Sequence, residues 1–96
     1  MLDEFEAELW ASESAEAWVF VTVPADLSED IRAITGEPRG FGSVRVEVTI
    51  GVTTWRTSVF PDSKTRCFVL PVKKAVRTAE AIEVGELARI GLRVLE

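Results

Sequence analysis

The sequence predicts a mainly β fold: a small, closed or nearly closed six-stranded β-barrel with two short helices, forming one domain over residues 1–96. Three observations lead there. Residues 39–61 (RGFGSVRVEVTIGVTTWRTSVFP) alternate apolar and polar on both sides of Gly51 and Val52, the pattern of a β-hairpin with a two-residue turn. Four further segments have strand-like patterning, and only two stretches have helical spacing. The first strand carries outward Glu4, Glu6 and Glu8, whereas the last carries outward Arg89 and Arg93. Those two strands are expected to run side by side with their charges facing, which closes the sheet and removes two edges that would otherwise need protection.

The elements follow in order. Phe5, Ala7 and Leu9 alternate with the three glutamates, giving a half-buried strand one. Residues 12–16 are polar and make a turn. Residues 18–23 (WVFVTV) are apolar on both faces, so strand two is central or covered by a helix on its outer side. Pro24 ends it. Asp26 with Glu29 resembles a capping box, and Leu27, Ile31 and Ile34 fall at helical spacing before Gly36, a C-cap residue; the first helix is expected over 27–35.

In the hairpin, Val44, Val46, Val48 and Ile50 form the inner face. The two-residue turn sets Val48 opposite Trp55, Val46 opposite Thr57 and, on the outer face, Glu47 opposite Arg56. A type I′ turn needs positive φ at both central residues, which Val52 resists; type II′ needs it only at Gly51. Residues 61–64 (PDSK) make a turn, and residues 65–70 strand five. Pro71 suits the first turn of a second helix, with Val72, Ala75, Val76 and Ala79 as its apolar stripe and Lys73, Lys74 and Arg77 as its wet side. Gly85 breaks the chain before Ala88, Ile90, Leu92 and Val94, the inner face of strand six.

Composition narrows the function classes. The chain carries a net charge of −5, and its first 31 residues hold nine acidic groups and no Lys or Arg. That balance argues against nucleic-acid binding, which needs a basic surface. No apolar run approaches the ~20 residues that span a bilayer, and the acidic N-terminus is unlike a signal peptide, so no membrane role is expected. Cys67 is the single cysteine, which excludes an internal disulfide and fits a cytoplasmic location. With no histidine there is no Ser-His-Asp machine and no Cys/His metal cluster. No P-loop or dinucleotide fingerprint occurs, so neither metal nor cofactor is expected.

Four motifs occur in order: F-x-A-x-L-W at 5–10, R-G-F-G-S-V-x-V at 39–46, W-x-T-S-V-F-P at 55–61 and L-P-V-K at 70–73. Together they resemble the bacterial domain of unknown function DUF1905 over nearly the whole chain. The resemblance implies a small six-stranded barrel with short helices and no assigned activity. Some relatives fuse it to a helical domain linked to bacteriocin resistance, and none of that domain is expected within these residues. Two positions depart from the family pattern: Val52 stands where a second glycine is frequent, and Ala81 where a glycine is common.

The expected function is a non-enzymatic binding or accessory module for a small anionic ligand or peptide. The candidate ligand residues are Arg39, Phe41, Trp55 and Lys73. Residues 39–42 (RGFG) suit a backbone nest for an anion, or simply lead into strand three with Phe41 packed down as a plug. Trp55 lines a ligand cavity or belongs to the core. Lys73, with Lys74 and Arg77, is either a solvated basic face or the best-placed anion contact. Trp10 shares the outward parity of the glutamates unless a bulge flips it; exposed, it suggests an interface, and burial under a helix is the alternative. A homodimerising or protein-docking domain is the alternative. An enzyme using carboxylates such as Glu47 or Glu83 has no spacing behind it. Cys67, expected mid-strand, has no activating neighbour in view.

Overall fold

The computed structural model describes residues 2–13, 18–35 and 42–95. The strands are β1 (Leu2–Glu8), β2 (Trp10–Ala11), β3 (Val19–Thr22), β4 (Val44–Ile50), β5 (Thr53–Pro61), β6 (Phe68–Pro71) and β7 (Leu87–Val94). The helices are α1 (Ala25–Thr35) and α2 (Lys74–Glu80). All pairings are antiparallel, in the order β1-β7-β4-β5-β6-β3-β2.

β1 and β2 stand at opposite ends of that order, yet only Leu9 separates them. A single first strand therefore bends at Leu9, pairs with β7 through its first part and with β3 through its second, and brings the sheet round into a nearly closed barrel. This is why seven strands appear where six were expected. The bend is stable because Leu9 is fully buried and its backbone stays bonded: its N–H donates to Glu86 O at 3.0 Å, and its carbonyl accepts from Gly85 N at 2.8 Å.

The interior is filled. Val46, Val48, Val21, Leu70, Phe68, Ile90 and Leu92 meet in it, all at most 1% exposed. They are the inward members of alternating strands, as the pattern predicts. The hairpin register is as expected: Val48 faces Trp55, Val46 faces Thr57 and Glu47 faces Arg56. Gly51 has φ +60 and Val52 has no positive φ, which excludes type I′ and fits type II′. Arg56 Nε lies 3.5 Å from Glu47.

The charged seam differs in one contact. β1 and β7 do pair, and Arg89 reaches Glu4 at 3.5 Å. Arg93, however, donates to Glu47 on β4 at 2.8 Å, so it looks away from β1. β7 lies between β1 and β4, and both neighbours offer carboxylates on the outer face.

The remaining differences have local causes. α1 starts at Ala25, so Asp26 lies inside its first turn, where its carboxylate accepts the Leu27 N–H at 2.9 Å. Ile34 is on the solvent side, 45% exposed, and buried Ser28 takes a place on the packed face. β6 begins only at Phe68, because Asp62 holds residues 62–67 in a compact turn. Asp62 accepts from Lys64 N and Thr65 Oγ1, while its own N–H bonds Cys67 O. Cys67 therefore sits in that turn and not mid-strand. Pro71 ends β6 instead of opening α2, whose N-cap is Lys73. Val72 and Val76 anchor α2, whereas Ala75 and Ala79 are exposed. Gly36 lies outside the described residues. No described helix is long and apolar enough to cross a membrane.

Candidate functional site

A cavity of about 350 Å³ opens where β5 and β6 part company. β5 pairs with β4 along Thr53–Val59 but with β6 only at Phe60 and Pro61. Beyond that point β6 follows β3, with Pro71 opposite Phe20, and the chain turns into α2. Continuing the β5–β6 register would set Pro71 opposite Ser58, and a proline has no N–H to offer a neighbouring strand. The sheet splits there, and the N-terminal end of α2 lies across the split.

Trp55 and Lys73 both line this cavity. The sequence left them as separate candidates, and the split brings them together. Arg56, Lys74 and Arg77 add three more cations, and Trp18 adds a second indole; no Asp or Glu lines the cavity. Trp55 points inward opposite Val48 and is half-buried against the core. Trp18, 52% exposed, stacks on Phe20 at 6.1 Å. Among the described residues no ring contact joins Trp18 to Trp55.

The cations are held to different degrees. Arg77 donates its Nε–H to Val72 O at 3.1 Å, which fixes the guanidinium beside the start of α2. Lys73 is the helix N-cap with φ −68 and ψ 157, and its carbonyl accepts from Val76 and Arg77. Arg56 shares Glu47 with Arg93. Lys73, Lys74 and Arg77 have no ion-pair partner among the described residues.

Arg39 and Phe41 lie outside the described residues. Trp10 keeps the outward parity expected of it and is half-buried. Its ring lies 5.1 Å from Phe20, and its Nε1–H donates to Thr22 Oγ1 at 3.0 Å. Trp10, Phe20 and Trp18 thus form an aromatic row on the outside of β2 and β3. Phe20 was read only as part of a two-sided apolar strand. It is half-buried, and the period-2 alternation with Val19 and Val21 was the available signal for its outward place. Trp18 and Arg56 were missed as cavity residues because β3 and β5 do not pair with each other and meet only through β6.

Among the described residues no group of His, Cys, Asp and Glu is placed to hold a metal. Fold and cavity define a small β-barrel domain with a cation-lined surface site. The chain matches the family described as Domain of unknown function (DUF1905) over residues 5–92, and it belongs to that family. No curated protein matches it.

Proposed function

We propose that this domain is a cytoplasmic, non-enzymatic binding module whose cavity takes a small anionic ligand. One observation carries the reading: in a chain of net charge −5, four cations and no carboxylate line one small cavity. Gathering like charges costs free energy unless something offsets it, and an anion does so directly. The two indoles supply apolar walls, and the volume is at the lower end for ligand sites. The absence of histidine and of any nucleophile–base pair in the sequence supports binding without catalysis.

The test is a thermal-shift and calorimetric screen of phosphate, sulfate and small carboxylates against wild type and Lys73→Ala. A ligand that raises the melting temperature should lose about ten-fold in affinity in the variant, the worth of one charge-assisted hydrogen bond. No shift from any anion, or a shift untouched by the substitution, removes the site.

The outer aromatic row favours a second reading, a homodimerising or protein-docking domain. Trp18 is exposed, Phe20 and Trp10 continue the row half-buried, and Phe60 is a further exposed aromatic. Light scattering over a range of concentrations decides it: a strict monomer sets self-association aside.

A further inference from the structure

We propose that the cavity seats the carboxylate end of an extended peptide, which adds to the free edge of β5 at Arg56. This deepens the anion-binding reading of the same site and rests on it. The new observation concerns the backbone. In a hairpin closed by a two-residue turn, the flanking pair Ile50–Thr53 exchanges both hydrogen bonds, and bonded and non-bonded pairs then alternate. Thr53, Trp55 and Thr57 therefore turn their N–H and C=O groups toward β4. Thr54, Arg56 and Ser58 turn theirs the other way. The 2.9 Å contact between the Thr49 and Thr54 hydroxyls fits this phase, because side chains sit closer in non-bonded pairs.

The side away from β4 is the split. No described strand pairs with Thr54, Arg56 or Ser58 on that side. An unpaired edge attracts another extended chain, and strand addition is an established way to bind peptides. The edge is also short. Phe60 is already paired with Val69, and Thr53 Oγ1 donates to Glu80 Oε2 at 2.5 Å at the far end of α2. A strand running through would collide at both limits, whereas a chain end fits between them. A cavity of about 350 Å³ likewise has room for a chain end and not for a folded partner. Lys73, Lys74 and Arg77 select which end: they suit a carboxylate and oppose an amine. Trp18 and Trp55 leave apolar walls for the terminal side chain.

The experiment titrates isotope-labelled full chain with acetyl-Ala-Ala-Xaa tripeptides ending in Phe, Leu, Val or Asp, with the same peptides amidated, and with inorganic phosphate. Exchange of the Arg56 amide is followed throughout. A free-acid peptide should bind at least about ten-fold more tightly than its amide and should slow Arg56 exchange. Relative to Arg56→Ala, Arg56→Pro removes the edge N–H and adds a ring that edge strands accept. It should bind the peptide about ten-fold more weakly than Arg56→Ala, while phosphate treats the two variants alike. If Arg56→Pro does not fold, exchange in the wild type decides. Phosphate binding without peptide binding overturns this proposal and leaves the anion site standing. Peptide binding with unchanged Arg56 exchange overturns it too. No response to phosphate or any peptide removes both readings.

Discussion

Ser28, in α1, accepts the backbone N–H of Phe68 at 3.0 Å and donates its own hydroxyl proton to Val23 O at 3.2 Å. Among the described residues it is the one buried polar side chain, fully enclosed, and it stitches the helix to the start of β6 and the end of β3. The helix needs a short polar residue there because the Phe68 N–H falls just before the β3–β6 ladder, where no strand carbonyl meets it.

Ser28→Ala should therefore cost about 1–3 kcal/mol, since it strands buried backbone groups while removing almost no volume. Denaturant unfolding should show a lower midpoint with an unchanged slope. A loss below ~0.5 kcal/mol would mean that water reaches Phe68.

Ala81→Gly should stabilise the protein. Ala81 is the C-cap of α2 with φ 53, and its N–H bonds back into the last turn. A left-handed conformation penalises any Cβ, and glycine escapes the penalty at some cost in unfolded-chain entropy. A net gain of up to about 1 kcal/mol is expected, read as a rise of a few degrees in melting temperature.

Glu47→Gln should matter more than Glu4→Gln. Glu47 is held by Arg93 at 2.8 Å and by Arg56 at 3.5 Å, and it is the less exposed carboxylate. Glu4 has only Arg89 at 3.5 Å, with both side chains largely in water. At low salt Glu47→Gln should cost about 0.5–1 kcal/mol and Glu4→Gln a few tenths. Most of both losses should vanish at 1 M salt. Reversing Arg89 and Arg93 to Glu should lower the melting temperature at low salt, and the Arg93 change should dominate.

Thr22→Val should cost about 0.5–1.5 kcal/mol by removing the acceptor of the Trp10 Nε1–H while keeping the shape of the side chain. The two residues are half-buried, so water replaces part of the bond and the loss should sit at the lower end. A change in tryptophan emission should accompany it.

Much of this architecture was legible in the chain. Alternation set the hairpin register to the residue because one slip would turn Val44, Val46, Val48 and Ile50 outward. The opposed charges of the first and last strands foretold their pairing. What failed was local. Asp62 builds its turn with hydrogen bonds that no apolar pattern reports, so β6 starts late. Pro71 was read for what it does in a helix, whereas its missing N–H also ends a sheet pairing. That second effect opens the cavity, so Trp55 and Lys73 could be proposed singly while Trp18 and Arg56 could not be joined to them.

The bend at Leu9 sets an order of events. A single strand serves both ends of the sheet, so it has no complete set of partners until β7 exists. In chain order β1 precedes and β7 follows every other strand, so β1 cannot dock fully until the rest of the sheet is in place. Until then β3 and β7 each lack a neighbour along one side. The exposed glutamates on β1 set like charges against edge-to-edge pairing with a second copy of that segment.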